Sequence, residues 1–352
     1  MNQNRFLYTV KLIACLAVIT IHAKFPDPLG DYVAALARFA VPFFFAVSGR
    51  YLLSGADTSG EIRSRASHSL KKTLKITVIV YLIYQLYSLI YHLIIGADLA
   101  ELLAERFGLA SIKRFVLFNT SMVIYDGSYV FDHMWYLFAF IYVLIFILVM
   151  TPVLRKIYKP LTVLLLLSLH ILTCLQDYSL VRVWGLSLTT WYVLRSWLFT
   201  GIPYVLLGVL WGDIIDRIKK EKNSEESEKT FNRLKIIGIC SLSLGIVSTC
   251  IETSFFGDKD IYFGSFFMVL GILLMSEALS GKGKTVWKVG KEASSNIYFY
   301  HVLILAIINF AADMGVLPDI PAALKTLTLM IVSVFIFYGL PHIYRSLIIK
   351  KS

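Results

Sequence analysis

The stretch His133-Met-Trp-Tyr-Leu-Phe-Ala-Phe-Ile-Tyr-Val-Leu-Ile-Phe-Ile-Leu-Val-Met-Thr-Pro-Val153 contains no Asp, Glu, Lys or Arg. A helix rises 1.5 Å per residue, so about 20 such residues match the roughly 30 Å hydrocarbon core of a bilayer. The stretch therefore reads as a membrane-spanning helix. Working outward in both directions, comparable apolar runs are read at 6–23, 33–53, 73–95, 160–176, 197–215, 235–253, 261–279, 294–313 and 323–348, with 160–176 the shortest. The segments between them are too short for a soluble domain and show no repeat. The expectation is one all-α domain over 1–352, a polytopic bundle of about ten transmembrane helices in the cell membrane.

Composition supports this. The chain is 57% hydrophobic with mean hydropathy +0.71, and its 16% charged residues fall well short of the roughly 25% of ordinary globular domains. A net charge of +11 raises the possibility of nucleic-acid binding. The Lys and Arg residues, however, gather in short segments between apolar runs, where membrane topology puts them, so no nucleic-acid partner is expected. They concentrate in 54–72 (Arg63, Arg65, Lys71, Lys72), 154–159 (Arg155, Lys156, Lys159), 216–234 (including Arg217, Lys219 and Lys220), 280–293 (including Lys282 and Lys291) and the tail (Lys350, Lys351). The alternate segments, such as Phe25-Pro-Asp-Pro28 and Gly257-Asp-Lys-Asp260, are poor in Lys and Arg. The alternation predicts both ends in the cytoplasm, N-in and C-in.

The first run follows Arg5 as a signal peptide would, but it contains Lys11 and lacks a small-residue cleavage site, so it is read as retained. Cys15, Cys174, Cys240 and Cys250 form no C-x-x-C pair, and neither a metal site nor a disulfide framework is expected. The mixed-charge segment 216–234 reads as a mobile connector. In the longest outer segment, 96–132, Leu99, Leu102, Leu103 and Phe107 recur at helical spacing and predict an amphipathic helix.

Ionisable groups within apolar helices are costly and usually face the bundle interior or a water-filled cavity, so they are the place to look for function. They are Lys11, His22, Arg38, His133, His170, Arg195, Glu252 and His301. Under the predicted topology His22, Arg38, His133, Arg195 and Glu252 fall in the outer leaflet, with Lys11 and His301 deeper. Lys11 and His22 are eleven residues apart, three turns plus about 20°, and share a helix face about 16 Å apart. A polar lane toward the outer cluster is one reading. Lys11 and Arg195 also suit snorkelling to the interface, and His170 suits a structural hydrogen bond.

At these residues the chain resembles the acyltransferase 3 family of ten-helix membrane proteins. Lys11-Leu-Ile-Ala-Cys-Leu-Ala-Val-Ile-Thr-Ile-His22 looks like the family's Arg-x10-His element, with Lys11 at the arginine position and Tyr8 where members often have Asp. Arg38-Phe-Ala-Val-Pro-Phe-Phe-Phe-Ala-Val-Ser-Gly49 is similar to the second-helix signature. His133-Met-Trp135-Tyr136-Leu resembles the family's His-Leu-Trp-Tyr-Leu element, and Ser295-Asn-Ile-Tyr-Phe-Tyr-His301 resembles its Ser-x-x-x-Tyr-Leu-x-His element. Arg38, His133, Trp135, Arg195 and Glu252 also look like positions in the membrane half of the serine racemases of glycopeptide-resistance operons.

The resemblance implies an acyltransferase that takes an acyl group, acetyl for preference, from acyl-CoA (acetyl-CoA) as co-substrate, with no tightly bound cofactor. The acceptor is expected to be a hydroxyl on an envelope carbohydrate, glycan precursor or glycolipid. His22 and Arg38 are the expected catalytic residues, Lys11 and His301 the donor-binding ones, and His133, Trp135, Arg195 and Glu252 the acceptor-binding ones, with Glu252 also placed to orient His22. The alternative is a transporter of a small polar solute such as serine, which would use the same polar lane; a scaffolding member without catalysis is a third.

Overall fold

The computed structural model describes residues 3–53, 55–56, 58–128, 130–176, 181–183 and 186–349. Lys350 and Lys351 of the basic tail lie outside them. In chain order the helices are α1 (Arg5–His22), α2 (Leu29–Ala37), α3 (Ala40–Leu52), α4 (Ser59–Ile94), α5 (Leu99–Arg106), α6 (Leu109–Phe118) and α7 (Trp135–Leu175). A two-stranded antiparallel ladder, β1 (Arg182–Val183) and β2 (Leu186–Ser187), precedes α8 (Trp191–Leu194). Then follow α9 (Ile202–Glu221), α10 (Ser224–Phe256), α11 (Phe263–Met275), α12 (Val286–Glu292), α13 (Ser294–Asp313), α14 (Ala322–Val334) and α15 (Leu340–Ile349). Among the described residues, eight helical spans are long and apolar enough to cross a membrane, and α11 is a shorter apolar helix. The protein is a multi-pass, essentially all-α membrane protein.

Each of the ten apolar runs holds helix over most of its length, the run 261–279 only over Phe263–Met275, and two boundaries differ from those read in the sequence. The run 33–53 is divided at Arg38–Phe39 between α2 and α3. The runs 133–153 and 160–176 are joined through Arg155, Lys156 and Lys159 into the single 41-residue helix α7, which contains Pro152 and Pro160. Its length is about twice the hydrocarbon thickness, and the two prolines remove backbone donors at the points where a bend is expected. Thr151 and Thr162 bond back to the carbonyls of Ile147 and Tyr158, a side-chain pattern that also bends helices.

The predicted mobile connector at 216–234 is almost wholly helical, since α9 ends at Glu221 and α10 begins at Ser224. Its Glu and Lys residues are good helix formers, and they pair one turn apart, Lys229 with Glu225 at 2.6 Å and Arg217 with Glu221 at 4.0 Å. The amphipathic helix expected after residue 96 is present as α5, capped by Asp98, whose side chain accepts from the N–H groups of Ala100 and Glu101.

The chain forms two compact units, Met1–Phe43 with Ser224–Ser352, and Phe44–Asn223. In the first, α10 and α11 form a hairpin packed through glycines. A Cβ on Gly238 would lie 2.7 Å from the Gly271 carbonyl oxygen, and one on Gly264 would lie 2.3 Å from that of Gly245. Lipid tails are as apolar as Leu, so helices in a membrane associate through such close backbone contact. Gly290 of α12 meets the Tyr8 carbonyl of α1 in the same way, leaving 1.9 Å to a would-be Cβ. In the second unit α7 packs against α4 and α9, and Gly49 and Gly208 bring α3 and α9 together. A Cβ on either would come within 2.0 Å of a facing backbone oxygen.

Gly264→Val is expected to destabilise the protein by at least the roughly 1–3 kcal/mol typical of overpacking, seen as a lower unfolding temperature in detergent. Gly281→Ala, with nothing within 4 Å of the added Cβ, should leave that temperature unchanged.

Candidate active site

Helix α1 turns Lys11, Cys15 and His22 toward α13. Spacings of four and seven residues hold the three near one face. Lys11 Nζ donates to Ser295 Oγ at 3.1 Å, and Cys15 Sγ donates to the Ser294 carbonyl at 3.1 Å. The His22 ring lies 5.3 Å from that of His301, at an interplanar angle of 57°. The first and fourth sequence elements thus meet along one helix pair. His301, grouped with Lys11 by position in the sequence, has its ring against His22 instead. Counting residues along each helix separately does not include the tilt between helices.

His301 is fully buried. Its Nδ1 lies 3.0 Å from the Ile297 carbonyl and 2.9 Å from that of Tyr298. Those acceptors require a hydrogen on Nδ1, so the neutral ring carries its lone pair on Nε2. Lys24, two residues after His22, is ion-paired to Asp27 at 2.9 Å and to Asp31. Hydrogen bonds to Asp31 and then Asp27 hold its ammonium well above the usual lysine range.

Arg38 closes α2, and its side chain is only 15% exposed. Its guanidinium reaches Asp260 at 3.2 Å and Asp258 at 3.6 Å. The Arg38 Nε is buried with no hydrogen-bond partner among the described residues. Both carboxylates belong to the 257–262 turn, which is tucked into the unit. Tyr262 is fully buried, its hydroxyl accepting from the Lys259 N–H at 2.8 Å and donating to the Gly257 carbonyl at 3.2 Å. The sequence shows this turn only as a segment poor in Lys and Arg, and its two aspartates become partners of Arg38 only in three dimensions.

Glu252, expected at the acceptor and beside His22, accepts from the N–H groups of Phe263 and Gly264, both at 3.0 Å, and its Oε2 lies 3.7 Å from Lys259 Nζ. A carboxylate on the first N–H groups of α11 meets both the orphan donors and the positive end of the helix dipole. The geometry assigns Glu252 a capping and turn-anchoring part.

The second unit gathers another cluster. The Arg195 guanidinium lies 5.1 Å from the Trp135 ring and 5.4 Å from that of Trp191. Trp135 and His133 are buried, the latter with its ring 5.2 Å from that of Tyr84. Phe45 packs on Tyr136 at 4.7 Å and on Trp135 at 6.2 Å. The second and third sequence elements therefore also meet each other. His170 bonds back to the Leu166 carbonyl within α7, in keeping with a structural role.

One polar network escaped the sequence reading. Arg106 and Asp126 are fully buried and paired at 2.6 Å, with Ser88 Oγ donating to the same carboxylate oxygen at 2.5 Å. The guanidinium also donates to the Val123 carbonyl at 3.0 Å and lies 4.5 Å from the Phe131 ring. A signal was available: Arg106 is seven residues after Leu99, on the apolar face of α5. Asp126→Ala would leave a buried cation without its counter-charge, and a loss of about 3–5 kcal/mol in unfolding free energy is expected. Glu252→Ala should cost about 1–2 kcal/mol, the scale of a lost helix cap, measured in the same unfolding assay.

The family profile described as an acyltransferase domain matches residues 4–344, nearly the whole chain. Neither a curated protein nor a solved structure matches. With four sequence elements paired two by two in space and a profile match that spans the helical region, the chain belongs to the acyltransferase 3 family, membrane enzymes that transfer acyl groups.

Proposed function

We propose that the protein is a membrane O-acyltransferase that moves an acyl group, acetyl for preference, from cytoplasmic acyl-CoA to a hydroxyl of an envelope carbohydrate, glycan precursor or glycolipid. The Lys/Arg-rich segments, the start of α1 and the end of α15 face the cytoplasm in this reading, as the positive-inside rule requires. The observation that carries it is the imidazole pair, His22 beside His301 at 5.3 Å, on the helix pair that also carries Lys11.

Acyl transfer needs a base for the acceptor hydroxyl and a positive group for the oxyanion that forms on the thioester carbonyl. His22 serves as the base, its neutral imidazole taking the hydroxyl proton. His301, with its Nδ1 hydrogen held by backbone carbonyls, places a second imidazole beside His22. Arg38 stabilises the oxyanion. Its pairing with Asp258 and Asp260 fixes the guanidinium in advance, so little reorganisation is needed as charge develops. The acceptor oxygen bonds to the acyl carbon, the carbon–sulfur bond breaks, and the CoA thiolate takes up the proton that His22 removed. Lys11 meets the phosphate or pantetheine portion of the donor. Trp135, Arg195 and His133 bind the acceptor in this reading, and Glu252 contributes through the turn it anchors.

Inverted membrane vesicles supplied with labelled acetyl-CoA should incorporate label into envelope glycans. His22→Ala should lower the rate by about 10²–10⁴-fold, the usual worth of a general base, and Arg38→Gln by about 10²–10³-fold. Equal incorporation by wild type and His22→Ala would remove His22 from the role. Uptake of serine into proteoliposomes that does not require acyl-CoA, with no acetyl transfer, would favour solute permeation.

A further inference from the structure

The second unit contains a cavity of about 470 Å³ bounded by the start of α4, the middle of α7 and the last turns of α9. None of the proposed transfer residues lines it. Its size falls within the roughly 300–1,000 Å³ of small-molecule sites. The walls divide by chemistry. Ile147, Leu154 and Leu206 form an apolar interior, whereas Arg155, Lys159, Arg217 and Lys220 bring four cations to its edge. Arg155 and Lys159 are one turn apart on α7, as are Arg217 and Lys220 on α9, so each pair shares a helix face.

Three carboxylates also line the cavity, Asp213, Asp216 and Glu221. Asp213 accepts a hydrogen bond from the Tyr158 hydroxyl, and Glu221 lies 4.0 Å from Arg217. With all seven groups ionised the rim retains a net positive charge. Ile214 of α9, three residues before Arg217 and so on the same helix face, is 39% exposed. In a membrane protein such an exposed apolar side chain faces lipid, so the cationic rim adjoins the lipid-facing surface.

The geometry points to a binding site for an anionic phospholipid, its headgroup phosphate against Arg155, Lys159, Arg217 and Lys220 and the upper part of one acyl chain along Ile147, Leu154 and Leu206. Basic pockets between transmembrane helices suit this ligand class, because the cations neutralise the phosphate while the chain stays in an apolar environment. The inference is independent of the transfer reading, since it concerns different residues and a ligand that is not consumed.

The test uses the full chain purified in mild detergent, incubated with equal amounts of dioleoylphosphatidylglycerol and dioleoylphosphatidylcholine, with retained lipid read by native mass spectrometry. The wild type should retain the anionic lipid at least about fivefold over the zwitterionic one, the scale of a single effective cation–phosphate contact. Arg155→Gln/Lys159→Gln/Arg217→Gln/Lys220→Gln should abolish the preference, and Val209→Trp, which fills the cavity without altering charge, should lower retention as well. Lys71→Gln/Lys72→Gln, which removes two exposed cations of α4 outside the cavity, should leave it unchanged. A gel-filtration profile and unfolding temperature like those of the wild type qualify each variant, and Val209→Trp decides the matter if the quadruple variant fails to fold. Equal retention of the two lipids, an equal loss in the Lys71/Lys72 variant, or displacement of the anionic lipid by acetyl-CoA at stoichiometric concentration would overturn the proposal. Loss of lipid preference with normal acetyl transfer would leave the transfer reading intact.

Discussion

Hydrocarbon offers no hydrogen bonds, and this constraint governs the arrangement of the protein's polar side chains. Each ionisable group on an apolar helix needs a partner supplied by another part of the chain or by its own backbone. Lys11 finds Ser295, Arg38 finds Asp258 and Asp260, Glu252 finds the start of α11, and Arg106 finds Asp126. The helices are assembled around these pairings as much as around their apolar faces. Where the polar groups meet, chemistry becomes possible, since the same partners that satisfy them also hold them in defined positions.

Glycine makes that assembly close enough to matter. The α10–α11 hairpin brings two pairs of glycines into contact, so that the end of α10, the 257–262 turn and the start of α11 form one stiff piece. That piece carries Asp258 and Asp260 to Arg38, while Glu252 secures it from α10. Gly49 of the second sequence element likewise serves packing, because it permits α3 to lie against Val205 of α9. A motif residue can therefore serve geometry while its neighbours carry the chemistry, and Phe44 and Phe45, whose rings pack on Tyr136 and, for Phe45, on Trp135, fit the same description.

The buried Arg106–Asp126 pair extends the argument beyond the apolar runs. It lies in a segment that hydropathy alone leaves as an outer loop, yet it ties α5 and the 119–131 stretch to α4 through Ser88 and Phe131. Tyr84, which contacts the His133 ring, also contacts Phe131. The stretch leading into α7 is thereby fixed by a charge pair whose partners are 20 residues apart in the chain.

Much of the molecule was legible in the amino-acid order. Ten apolar runs, each largely helical among the described residues, follow from the length a chain needs to cross hydrocarbon with its backbone satisfied. The polar residues within them stood out because their cost is so high there, and the face shared by Lys11 and His22 follows from helical periodicity alone. Other features required the tertiary structure: the joining of two runs into α7, the placing of His301 against His22, the aspartates that pair with Arg38, the capping part of Glu252 and the burial of Arg106. The reason is common to all of them. Periodicity and hydropathy describe one helix at a time, whereas tilt, crossing and long-range charge pairing are properties of two segments together, and nothing local to either segment encodes which partner it will meet.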